Sequence, residues 1–126
     1  MSHPYGTLKV TIVEGRQLKS QDVFSENDAY AEVYLDKHNK KRTKVIKNSN
    51  NPTWNETLTF DLQKDQDELQ IDVYDDDLIG RDLIGSTKIS LQKHVFGKDR
   101  LDLWVNFSVG IGRSSNGAIH VIIEHH

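Results

Sequence analysis

The chain has 126 residues, 28% charged and 36% hydrophobic, which suits one globular domain with a sizeable core and excludes a disordered chain. No apolar run approaches the roughly 18 residues a spanning helix needs, and the absence of Cys removes disulfides, thiolate metal sites and cysteine nucleophiles together. Net charge is only -3, from 16 Lys+Arg and 19 Asp+Glu, so the overall balance points to neither nucleic acid nor membrane. Met1 to Pro4 carry no basic segment followed by an apolar one, so the expected compartment is the cytosol.

Apolar residues alternate with polar ones at Leu8, Val10 and Ile12, the pattern of a half-buried strand. Gly15 ends it, and residues 22–28 read as a loop that separates Asp22 from Asp28 with Ser25, Glu26 and Asn27 between them. The period of two returns at Ala29, Ala31, Val33 and Leu35, and residues 42–47 are expected to form the next strand. Asn50, Asn51 and Pro52 mark a turn before Leu58, Phe60 and Leu62, and Trp54 is expected to pack and fix that turn. Strands follow at 69–73 and 84–90, a helical turn or two at 91–96, and strands at 101–107 and 119–123. Eight short strands with turn signals between them predict an all-β, eight-stranded antiparallel sandwich occupying residues 1–126 as one domain. Tyr30 and Trp104 read as residues of that sandwich.

Asp75 and Asp77 continue the parity of Leu69, Ile71 and Val73, so two carboxylates point the same way, roughly 6.5 to 7 Å apart at the backbone. A hard cation fits between them, and calcium, which takes six to eight oxygen ligands in loose geometry, suits loop carboxylates and carbonyls better than magnesium does. Asp82 is placed to fold back as a third carboxylate, and the 22–28 loop would add Asp22 and Asp28. Such a cluster repels itself unless a cation sits within it.

These residues carry a resemblance. Asp22 to Tyr30, Lys44 to Lys47 leading into Asn51, Pro52, Trp54 and Phe60, and Tyr74, Asp75 and Asp77 with Asp82 and Gly85 strongly resemble the C2 domain family, in register from about Thr7 to Ile123. Entry on a strand at 8–12 and exit at 118–123 resembles the type II circular permutation, the layout of small standalone members. The resemblance implies loops at one end that bind two or three Ca2+ ions and then anionic phospholipid. Position by position it implies side-chain ligands at Asp22, Asp28, Asp75, Asp77 and Asp82, with backbone carbonyls from Gln21 and Asp76. Asp77 and Asp82 are five positions apart where most calcium-binding members have six, which implies a third loop one residue shorter.

Apolar residues sit at the loop tips, Val23 and Phe24 in one and Leu78 and Ile79 in the other. They are expected to enter the membrane interface, with Arg81 meeting lipid phosphates. Seven acidic residues (Asp22, Glu26, Asp28, Asp75, Asp76, Asp77 and Asp82) less one Arg81 leave these loops near -6, so an anionic membrane repels them until calcium neutralises the charge.

Six basic residues between Lys37 and Lys47, with no acidic one, make a basic patch centred on Lys40, Lys41, Arg42 and Lys44. In family members that recognise phosphoinositides, two neighbouring strands line a concave face with lysines. Here the first of them has Glu32 and Tyr34 at the matching positions, so diffuse attraction to anionic lipid is the expected role.

No nucleophile motif, glycine-rich phosphate loop or nucleic-acid platform is present, and the six His show no zinc-ligand spacing. The expected function is therefore a calcium-dependent, non-enzymatic membrane-docking module, monomeric, recruited from the cytosol. A calcium-independent module that binds protein partners is the alternative.

Overall fold

Alternation sets the apolar residues of most strands on one face, and burial of two such faces against one another assembles the molecule. A computed structural model of the chain describes residues 4–20, 24–109 and 114–126. The element order is β1 (Pro4–Arg16), β2 (Ala29–Asp36), β3 (Asn39–Arg42), β4 (Thr53–Gln63), β5 (Glu68–Asp77), β6 (Gly80–Ser90), α1 (Leu91–His94), β7 (Arg100–Val109) and β8 (Ser114–His125). Two four-stranded antiparallel sheets form, in the orders β4-β1-β8-β7 and β3-β2-β5-β6. The eight-stranded antiparallel sandwich is thus as expected, and the first and last strands lie side by side within one sheet.

The core follows the predicted parity. Leu8, Val10 and Ile12 face Ile119, Val121 and Ile123 on one sheet, and Ala31, Val33, Leu69, Ile71 and Val73 line the other; all are fully buried. Each Leu, Ile or Val buried this way contributes about 1.5–3 kcal/mol relative to exposure. Trp54 is buried, and its indole N–H donates to the Ala29 carbonyl at 3.2 Å, tying β4 to β2 across the sandwich as well as fixing the turn.

One local expectation changes and two are refined. The strand expected at 42–47 is instead Asn39–Arg42, because buried Thr43 enters the ladder with its side chain: its Oγ1 accepts the Ala31 N–H at 3.0 Å and donates to the Lys44 carbonyl at 2.9 Å. Only an isolated bridge between Ala29 and Ile46 remains of regular pairing beyond it. The helix is a single turn, within the turn or two expected, capped by the Ser90 hydroxyl, which accepts from the Lys93 N–H at 3.2 Å. Trp104 lies on the sandwich strand β7 as expected but not in the core: it is 40% exposed, stacked on His120 with Arg16 over its ring.

Candidate metal centre and adjoining surfaces

β5 and β6 close through a two-residue turn, Leu78 and Ile79, with Asp77 opposite Gly80, Asp76 opposite Arg81 and Asp75 opposite Asp82. Below that hairpin the register slips by one between Val73 and Tyr74, where buried Ile84 is the extra residue of β6. Without the slip Asp75 would face Leu83. The bulge therefore sets the Asp82 and Asp75 side chains on one face as a direct cross-strand pair.

Asp28 is brought to the same place by hydrogen bonds between loops. Its backbone N–H donates to Asp75 Oδ1 at 2.7 Å, its carbonyl accepts from Asp76 N–H at 2.8 Å, and its Oδ1 accepts from Asn48 N–H at 2.7 Å. Asp77 Oδ1 accepts from the Leu78 N–H at 2.7 Å. Each of these carboxylates retains a second oxygen. Beneath them lies fully buried Asn27, whose amide donates to the Lys19 carbonyl at 3.0 Å and to Asn50 Oδ1 at 2.7 Å, anchoring the 24–28 segment to the 48–50 turn. The Asn27 anchor was not legible in the sequence beyond turn-forming composition.

A polar cleft results, lined by Ser25, Glu26, Asp28, Asp75, Asp76, Asp77 and Asp82. Ser25 is an addition to the residues expected there. Gln21, Asp22 and Val23 lie outside the described residues. The pKa of Asp75 is raised above the ordinary carboxylate value, first by burial and then by the nearby charges of Asp28, Asp82 and Asp77, against the lowering effect of the Asp28 N–H. Among the described residues no three His, Asp or Glu side chains are drawn together closely enough to hold an ion as they stand. The donor set nonetheless suits one chemistry: oxygen only, anionic, flexible and at a loop end, which is a hard-cation donor set.

The described residues of the loop tips are exposed. Phe24 is 94% exposed, and Leu78 and Ile79 are completely so. Arg81 lies elsewhere than expected: its Nη1 is 3.1 Å from Glu32 Oε2 and donates to the Tyr30 hydroxyl at 3.2 Å, with the guanidinium 3.9 Å from the Tyr74 ring centre. It is engaged on the outer face of the β3-β2-β5-β6 sheet, so the loop acids lose their one offsetting charge. The basic run also divides. Lys40 pairs with Glu32 at 3.3 Å and Arg42 lies over Tyr30, whereas Lys41 turns the other way and donates to the Thr59 carbonyl at 2.6 Å. Lys44 is exposed past the end of β3.

Two antiparallel sheets with a carboxylate-lined cleft between loops at one end define the class, an antiparallel β-sandwich with an acidic loop cleft. The chain belongs to the C2 domain family, whose model matches residues 6–107. It is 39% identical over 106 residues to RasGAP-activating-like protein 1 of Mus musculus, covering 82% of this chain and 13% of that protein. Identity to the Protein C2-DOMAIN ABA-RELATED 11 of Arabidopsis thaliana is 40% over 93 residues, covering 73% of this chain and 55% of that one. An Arabidopsis thaliana protein named Calcium-dependent lipid-binding protein is 33% identical over 89 residues, 70% of this chain and 18% of its own length. The chain thus spans from 13% to 55% of these relatives. Among solved structures, the calcium-bound tandem C2 domains of Extended-Synaptotagmin 2 superpose with a TM-score of 0.86 at 24% identity, over 99% of this chain and 47% of that one, a likeness of fold.

Proposed function

We propose that the chain acts as a calcium-dependent phospholipid-binding module, without catalytic activity of its own, that docks on anionic membranes by the loops around the carboxylate cleft. The observation that carries this reading is the convergence of Asp28, Asp75, Asp77 and Asp82 on one cleft beside the exposed Phe24, Leu78 and Ile79. A relative named for calcium-dependent lipid binding supports it.

Asp28, Asp75, Asp77 and Asp82 would hold the ions, with Asp22 completing the set and the carbonyls of Gln21 and Asp76 as further donors. Two or three calcium ions would supply the positive charge that cancels most of the loop carboxylates and would accept lipid phosphate oxygens. The carboxylates themselves act as the switch. In the metal-free state they repel an anionic surface, and the interloop bonds of Asp28 hold their backbones in place for binding. Leu78 and Ile79 then present apolar area to the interface, and Lys40, Lys41, Arg42 and Lys44 add a weaker, salt-sensitive attraction.

Calorimetric titration with calcium, in the presence and absence of phosphatidylserine vesicles, tests the reading. Binding heat from the protein alone and a higher calcium affinity with vesicles are expected, since lipid and metal each favour the other's bound state. Absence of calcium binding at millimolar ion would overturn the assignment.

A further inference from the structure

Away from the cleft, the outer face of the β3-β2-β5-β6 sheet holds a second concentration of charge. Cross-strand register sets Glu32 between Arg42 of β3 and Asp72 of β5. Glu32 is 8% exposed, and its two carboxylate oxygens are divided between two cations: Oε1 lies 3.3 Å from Lys40 Nζ and Oε2 3.1 Å from Arg81 Nη1. Those cations, with Arg42, also rest on aromatic rings, Lys40 over Tyr34 at 4.9 Å, Arg42 over Tyr30 at 4.9 Å and Arg81 over Tyr74 at 3.9 Å. Asp72, the other carboxylate of this face, takes neutral donors: Tyr34 at 2.9 Å, Gln70 at 3.2 Å and the Ser86 hydroxyl.

Three cations from two strands, Lys40 and Arg42 of β3 and Arg81 of β6, are therefore held on a floor of tyrosines, contacts that do not require Glu32. The Lys40 ammonium and the Arg81 guanidinium converge on one point, with Arg42 opposite it across the strands, an arrangement that suits an anion with several oxygens, each taking one donor. Glu32 stands at that point and presents two oxygens in the way a phosphate would. An incoming phosphate would have to displace it, leaving a buried carboxylate without its partners, a costly exchange. We propose that Glu32 is an internal stand-in for a phosphate group, which closes this face to phosphomonoester ligands and makes it a specificity determinant. The inference goes beyond the calcium reading and does not need it.

The test is made in chelator. Calorimetry with soluble inositol trisphosphate, and sedimentation with phosphatidylcholine vesicles with and without phosphatidylinositol bisphosphate, are run on wild type, Glu32→Gln and Glu32→Ala. Wild type should bind neither probe measurably, and Glu32→Gln should gain at least about tenfold in affinity for the soluble phosphate. Gain on the vesicles as well assigns the ligand to a lipid headgroup; gain on the soluble probe alone assigns it to a free phosphate. Addition of Arg42→Gln to Glu32→Gln should abolish the gain, because it removes the third cation. Thermal melting identifies which variants are folded, and Glu32→Ala serves if Glu32→Gln is not. Wild-type binding as tight as the variants', folded variants with no gain, or a gain that survives Arg42→Gln would each overturn the proposal. A wild-type titration alone overturns it if the probe binds. Since no calcium is present, failure here leaves the metal assignment untouched, and failure of calcium binding leaves Glu32 untouched.

Discussion

Replacement of Leu78 and Ile79 by Ser tests the loop-tip contact with little risk to the fold, since both side chains are completely exposed and stand outside the core. If both enter a membrane interface, each loses about 1.5 kcal/mol of transfer free energy on replacement, the lower end of the burial range because interfacial insertion is partial. Two side chains then account for about 3 kcal/mol, on the order of a hundredfold in vesicle affinity. That contribution does not depend on ionic strength. Attraction through Lys40, Lys41, Arg42 and Lys44 does, because the screening length falls from about 10 Å at 0.1 M to about 3 Å at 1 M. Sedimentation with phosphatidylserine vesicles in saturating calcium, at both salt concentrations, should show the double Ser variant losing most binding at 1 M. A charge-reversed Lys41→Glu, Lys44→Glu variant should lose only part of its binding at 0.1 M. Full retention of high-salt binding by the Ser variant would refute the reasoning and move the contact to the basic segment.

Calcium at a hundredfold excess over its dissociation constant should stabilise the fold by about 2.7 kcal/mol, raising the melting midpoint by roughly 10 °C, and magnesium much less; equal midpoints in calcium and chelator would contradict this. Asp75→Asn should abolish calcium-dependent vesicle binding yet raise the midpoint in chelator at neutral pH. The Asp75 pKa is raised in the folded state, so its favourable contribution is present in acid and lost as pH rises through the carboxylate range; a lowered neutral midpoint would refute this. Asp82→Asn should also impair calcium binding, because the bulge places Asp82 opposite Asp75, and calorimetry would show unchanged affinity if that placement were unimportant. The Tyr34 hydroxyl, pushed up to about 12 first by burial and then by its hydrogen bond to Asp72, contributes stability that is full below its ordinary value of 10.0 and lost as pH rises through about 12. Tyr34→Phe should flatten stability over that alkaline interval in pH-dependent melting.

Strand parity decides which side chains share a face, and parity is local. For that reason the cores of β1, β2, β5 and β8, the common direction of Asp75 and Asp77, and the outward placement of Leu78 and Ile79 were all legible from residue order. Partners across strands are not local. The one-residue bulge at Ile84 that sets Asp82 against Asp75, the hydroxyl of Thr43 that ends β3 early, and the turn of Arg81 away from the loop tip onto Glu32 and Tyr74 each depend on residues distant in sequence. Composition marked Lys40, Lys41 and Arg42 as one positive run, but alternation sends Lys41 to the side of β4 and leaves Lys40 and Arg42 beside Glu32. Sequence order determined which charges and apolar tips this chain possesses and on which side of each strand they project. Tertiary structure alone decided which of those charges neutralise one another, because Coulomb and hydrogen-bond energies are set by distances between strands that register and bulges define.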